Sequence, residues 1–239
     1  MASYKPRGFY EASNCSLTKE SIMTNSNDDG TRLPPAVFFK LPNGGYMRPI
    51  DTNDAPYLYR WVNDPEIRPY LNRSEVEMFE EELDWIKGLP KRKHTNLVWM
   101  ICDKDSERVG TMGLHSISWK DGTATTGAMF GNTAKQNQGI GQMAKMILLD
   151  YVFNVLNLRQ IYSSVISYNL RSRAYSEKCG YVHFATYPNA IVRDGKYHDI
   201  WELLVTRQTW EPLWHEFCDK HKIESFEEML KRHGNWPRE

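Results

Sequence analysis

The sequence predicts an α/β (α+β) fold: a mixed central β-sheet flanked by helices, with an N-terminal extension and a helical C-terminal tail. Three observations lead there. Residues 51–88 repeat apolar side chains at helical spacing. From Asn96 the period falls to two over three consecutive runs. A strongly apolar helical stretch, 139–156, then stands between two strand-like runs, the order of a parallel pair inside a mixed sheet.

In chain order, residues 1–40 read as an extension, because "SLTKESIMTNSNDDGTRLPP" is polar and ends in two prolines. "AVFFKL" and "GYMRPI" flank the turn "PNGG" as a small hairpin. "DTNDAPYLYRWVND" is a helix with Asp51 or Thr52 as N-cap and Pro56 in its first turn. "SEVEMFEEELDWIKGL" is a second, opened by a Ser74–Glu77 capping box and stopped at Gly88–Pro90. "NLVWMICD", "RVGTMGLHSISW" and "TATTGAMFG" form an antiparallel meander broken at "KDSE" and "KDG". In the helix of 139–156, Ile140, Met143, Ala144, Ile147, Leu148, Tyr151 and Val155 share one face, and Gln142, Lys145, Asp150 and Asn154 the other. A strand ("QIYSSVIS"), a helix ("NLRSRAYSEKC") and two strands ("GYVHFATY", "YHDIWELLVT") follow. The organisation expected is an extension over 1–40, one domain over 41–206 and a helical tail over 207–239.

The 239 residues are 41% hydrophobic, with 30 basic and 30 acidic side chains. Zero formal charge gives no overall pull toward nucleic acid or acidic membrane. Cys15, Cys102, Cys179 and Cys218 lie far apart with no CxxC pair, which argues against a metal site or a disulfide framework. No apolar run is long enough to span a bilayer, and the start lacks a signal peptide's apolar stretch. A cytoplasmic protein is expected.

The chemistry concentrates in "AMFGNTAKQNQGIGQMAKMILLDYVF". A strand ends, a polar loop follows, and a buried helix opens with glycines in its first turn. Free N–H groups and the positive end of the helix dipole then face the loop, and Lys135 and Lys145 flank the turn, so a phosphate-bearing ligand fits. Neither GxGxxG nor GxxxxGK[ST] is present, which counts against Rossmann and P-loop sites. The pattern is Gln136-x-x-Gly139-x-Gly141, and it resembles the diphosphate-binding signature of the GNAT acetyltransferases. "MRPIDTNDAPYLYRWVNDPEIRPYL", "NLRSRAYSEKCGYV" and "GKYHDIWELLVT" are similar, in the same order, to segments of that superfamily's RimJ/RimL-type branch.

The resemblance implies the GNAT fold and an enzyme moving acetyl from acetyl-CoA, as co-substrate, to a primary amine by direct attack. Met129, Phe130 and Gly131 would pair with the pantetheine arm through their backbone. Gln136, Asn137, Gln138, Gly139, Ile140, Gly141 and Gln142 would form the diphosphate turn. Asn169, with Ser172 beside it, would meet the pantetheine, and Tyr175 would protonate the departing sulfur. Tyr70, Asn72, Arg73, Tyr197 and Asp199 are the candidate acceptor contacts, each with an ordinary surface or capping role as its alternative.

The general base stays open. Many sequences of that branch carry Glu in the fourth strand, whereas Thr125 stands there in this chain. His115 is one candidate, with a structural strand residue as its other reading; water relayed by backbone groups is the alternative base. At pH 7 an α-amine loses about 1 kcal/mol in becoming neutral and a lysine-like amine about 4.6. The missing Glu therefore tilts the acceptor toward a protein N-terminus or an amino sugar. The alternatives are a polyamine, antibiotic or modified-base acetyltransferase, or an inactive CoA-binding module. No metal is implied, and there is room for a homodimer.

Overall fold

In a computed structural model of the protein, the described residues are 25–26, 32–33, 36–71, 75–132 and 139–224. Strands β1 (Asn25–Ser26) and β2 (Arg32–Leu33) form a ladder of their own. The main sheet has eight strands: β3 (Phe39–Lys40), β4 (Tyr46–Pro49), β5 (Leu97–Cys102), β6 (Arg108–Ser118), β7 (Thr123–Phe130), β8 (Gln160–Ile166), β9 (Val182–Arg193) and β10 (Lys196–Thr206). Their spatial order is β3-β4-β5-β6-β7-β8-β10-β9. Every pairing is antiparallel except β7 with β8. The helices are α1 (Ala55–Asn63), α2 (Phe79–Gly88), α3 (Ile140–Asn154), α4 (Leu170–Glu177) and α5 (Arg207–His221). The mixed sheet flanked by helices is the architecture expected.

Period-two side chains divide between two cores. Met47, Trp99 and Ile101 join the larger one with α3, and Trp210, Trp214 and Phe217 of α5 lie in it too. Tyr46, Met100 and Cys102, the alternate residues, face α1 and α2 with Leu58, Trp61 and Ile86. A short 3-10 turn, Thr52–Asp54, leads into α1, and Asp51 caps it by accepting from Asn53 N–H at 2.8 Å. The Asp54 carboxylate, wholly buried, takes Arg48 from β4 on both oxygens (2.6 and 2.7 Å) and Arg108 from β6 at 2.7 Å. The pair of guanidiniums overcomes burial and holds Asp54 below the ordinary carboxylate range. Arg48 is in turn shifted up by Asp54 against its own burial.

Two local expectations need correction. Helix α2 begins at Phe79 rather than behind a Ser74–Glu77 box. Glu81 reaches back to the Met78 N–H at 2.8 Å, while Glu77 backbone is tied to the Asn63 side chain. Ser74 lies outside the described residues. Helix α3 is also not polar on one side: Lys145 and Asp150 are both buried. Lys145 therefore does not flank the glycine turn, and Lys135 lies outside the described residues.

Candidate active site

The site exists because the sheet comes apart. Strands β7 and β8 are paired only at Thr123–Gln160, Ala124–Ile161 and Thr125–Tyr162. Beyond those pairs β7 stays with β6 as far as Phe130 and β8 stays with β10 as far as Ile166. Among the described residues, the β8-facing edge of β7 from Thr126 to Phe130 thus has no strand beside it, a row of peptide groups that an extended ligand can pair with.

A cleft of about 820 Å³ fills the gap on one side. It is lined by Ala128, Met129 and Phe130 of β7, by Gly139, Ile140, Gly141 and Gln142, and by Asn169, Arg171, Ser172, Tyr175 and Lys178. Gly139 is the N-cap of α3 with φ +74°, a left-handed conformation that an L side chain adopts only with strain. The first-turn amides of α3, which have no acceptor within the helix, belong to residues that line the cleft. A Cβ at Gly141 would lie 2.8 Å from Phe130 Cζ, so glycine lets that ring sit between the turn and Tyr175. Arg171 and Lys178 outnumber Glu66 among the lining charges. A diphosphate followed by an extended arm fits this lining.

Helix α4 sets the next residues. Asn169 is its N-cap, Oδ1 accepting from Ser172 N–H at 3.1 Å, so this amide oxygen orients the helix rather than standing open. Arg171, Ser172, Tyr175 and Lys178 follow at helical spacing on the cleft side. Tyr175 meets the Phe130 ring edge-on at 6.3 Å.

A second cleft of about 300 Å³ lies beyond and shares Tyr70, Leu71, Ala128, Asn169, Ser172 and Tyr175 with the first. Its own walls bring His115, Thr125, Thr126, Ser163 and Ser164 together. The His115 imidazole lies in space that glycine leaves: a Cβ at Gly113 or Gly127 would stand 2.9 or 3.2 Å from Nε2. Its Nδ1 is 3.2 Å from Asn96 Oδ1, which assigns the proton to Nδ1 and leaves Nε2 with its lone pair. Burial lowers the His115 pKa, keeping the ring neutral at pH 7.

The acceptor candidates are dispersed. Tyr70 lines both clefts, and Tyr197, 68% exposed, lines neither. Asp199 Oδ1 accepts from Asn189 N–H at 2.8 Å across an irregularity of the β9–β10 ladder, where Asn189 has φ +53°. That oxygen serves the hairpin. Asn72, Arg73, Gln136, Asn137 and Gln138 lie outside the described residues.

Sequence reasoning misses Arg171 and Lys178, although their i, i+4, i+7 spacing with Tyr175 is a signal that could find them. It also misses Ser163 and Ser164, which only the splitting of the strands exposes. Lys145 lies on the half of α3 expected to face solvent, but it is buried there. Its Nζ donates to Thr126 Oγ1 at 3.1 Å and lies over the Tyr175 and Tyr181 rings. Burial, the largest single influence, opposes the ammonium, but Tyr175, Tyr181 and Cys179 together leave the net shift upward. Burial also drives Tyr181 and Cys179 up to about 12 each.

A mixed sheet opened between two parallel strands, with a glycine turn lining one cleft and a tyrosine where two clefts meet, fits a group transferase with a long extended donor. Residues 46–182, more than half of the chain, match the acetyltransferase (GNAT) domain, and the chain belongs to that family of N-acetyltransferases, with acetyl-CoA as co-substrate. It is 28% identical over 122 residues to an uncharacterized N-acetyltransferase, p20, of Bacillus licheniformis, covering 50% of this chain and 68% of that protein. It is 24% identical over 156 residues to spermidine N(1)-acetyltransferase of Vibrio cholerae, covering 64% and 88%. The crystal structure of spermidine N-acetyltransferase from Vibrio cholerae in complex with CoA and spermine superposes with TM-score 0.64 at 20% identity, covering 70% of this chain and 98% of that one. Among the described residues there is no group of metal-ligating side chains, and no helix is long and apolar enough to cross a membrane.

Proposed function

We propose that the protein acetylates a primary amine of a small molecule, which enters the smaller cleft and attacks the thioester directly. The observation that carries this is the meeting of the two clefts at Tyr175, one fitted to an extended diphosphate ligand and one confined and polar. A space of about 300 Å³ suits a small molecule better than a polypeptide end, and a relative that acts on spermidine supports the same class. A protein N-terminus, favoured by amine pKa alone, becomes the comparison arm, while an amino sugar falls within the small-molecule class. Membership of the RimJ/RimL-type branch is part of the same proposal and is supported by the three stretches similar to that branch.

The roles follow from position. The free edge of β7 and the first turn of α3 hold the donor. His115 Nε2 takes a proton from the attacking amine, and Thr125, on the same wall of the smaller cleft, helps to orient it. Tyr175 gives its phenol proton to the departing sulfur. The proton on His115 returns to solvent and the phenolate is reprotonated, so the balance is amine plus thioester giving amide plus thiol.

Thiol release from acetyl-CoA with spermidine, spermine, an amino sugar and a peptide with a free N-terminus tests the acceptor. A small amine should turn over with kcat/KM at least about tenfold above the peptide, a margin of about 1.4 kcal/mol in transition-state binding. Faster turnover of the peptide would reverse the assignment.

A further inference from the structure

Lys145 sits in the second turn of α3 between core residues Ala144 and Met146, and its side chain is wholly buried. Among the described residues no carboxylate pairs with it. Its Nζ instead donates to Thr126 Oγ1 at 3.1 Å and stands 5.1 Å from the Tyr175 ring centroid and 5.0 Å from that of Tyr181. Thr126 Oγ1 is also 2.7 Å from Tyr181 Oη. A methionine or leucine would fill this volume without desolvating a charge, so packing gives no reason for an ammonium here. The site of the charge does. Thr126 and Tyr175 both line the smaller cleft, so the amine lies one side chain behind the junction of the two clefts.

We propose that Lys145 is a positioning residue for Tyr175, holding the ring at the junction and placing a fixed positive charge beside the oxygen that becomes anionic. This rests on the reading of Tyr175 as the acid. In the step concerned, the carbon–sulfur bond breaks, the sulfur takes the electron pair, and the phenol O–H proton moves to sulfur. The phenolate left behind is the species the ammonium stabilises, at no cost in reorganisation because the charge is already in place. Lys145 keeps its own proton throughout. Thr126, accepting from Nζ, fixes the ammonium, and Tyr181 braces Thr126.

Lys145→Met, Lys145→Gln and Lys145→Arg, each made with and without Tyr175→Phe, test this through kcat, KM for acetyl-CoA and the thermal midpoint. Lys145→Met should unfold at the same or a higher temperature. Its KM should move less than about twofold while kcat falls about tenfold or more, toward the roughly 10²-fold loss of Tyr175→Phe. In the Tyr175→Phe background Lys145→Met should cost nothing further, because the phenolate it serves is gone. Lys145→Arg should recover part of the kcat that Lys145→Gln loses, which keeps the test available should the Met variant not fold. An unchanged kcat in Lys145→Met, or an equal loss with and without the tyrosine hydroxyl, would overturn the proposal. Full activity of Tyr175→Phe with Lys145 present would instead overturn the reading of Tyr175, and the role of Lys145 with it.

Discussion

His115 precedes an irregularity in the β6–β7 ladder, with Ser116 at φ +51°, and its ring lies against two glycines rather than against core side chains. A bulge re-aims a strand side chain, and glycine opposite gives an imidazole room that any other residue would occupy. The strand position alone leaves His115 undecided between base and structural residue, because the bulge and the Asn96 contact depend on pairing across strands. Burial lowers the pKa, so the base form is present above the depressed value and is lost as pH falls through it. The log of kcat/KM should therefore rise with pH through a midpoint below about 6.5 and then level off. His115→Gln should remove that limb and lower kcat about 10²-fold, measured as a pH profile with a small amine. A limb retained in the variant would assign the proton to water.

At the scale of elements, the meander, the α3 helix and the closing hairpin are legible in the sequence because each rests on a local period or turn signal. Asp51 is legible as a cap for the same reason, although it caps the 3-10 turn Thr52–Asp54 and α1 itself opens behind Asp54. What is not legible depends on neighbours. Lys145 and Asp150 fall on the polar half of a helical wheel, yet α3 has the sheet, α4 and α5 around it and buries both. Asn169 reads as a ligand contact, and Asx residues before a helix equally cap it; here Oδ1 goes to Ser172 N–H. The Gly139 turn is legible from its spacing, and its φ of +74° gives the physical reason. Alanine there should cost about 1–2 kcal/mol in the left-handed conformation, which the turn must re-enter to bind. Gly139→Ala should accordingly raise KM for acetyl-CoA about 5- to 30-fold with kcat little changed. A lower kcat at constant KM would show that the turn serves the reaction rather than binding.

For the whole molecule, the Arg48–Asp54–Arg108 cluster ties the turn that leads into α1 to strands β4 and β6. Sequence periodicity hides such a cluster, since Asp54 and Arg108 are 54 residues apart. Asp54→Asn would leave two buried guanidiniums without a counter-charge and should destabilise the protein by about 3–5 kcal/mol in denaturant titration at pH 7. The folded-state pKa of Asp54 lies below its ordinary value of 3.8, so the charge contributes fully above about pH 5 and is lost as pH falls through 3.8 and then the folded value. Wild-type and variant stabilities should converge across that acid range. A constant difference down to about pH 3 would mean that the carboxylate charge is not what holds the cluster.

The proposed chemistry depends most on where the donor lies. Residue-resolved amide hydrogen exchange, with and without coenzyme A, reads the two backbone elements directly. Exchange should slow at Ile140, Gly141 and Gln142 and along the open edge of β7 between Thr126 and Phe130, with the β4–β5 ladder unchanged. Protection confined to other parts of the chain, with these amides exchanging as before, would contradict that placement.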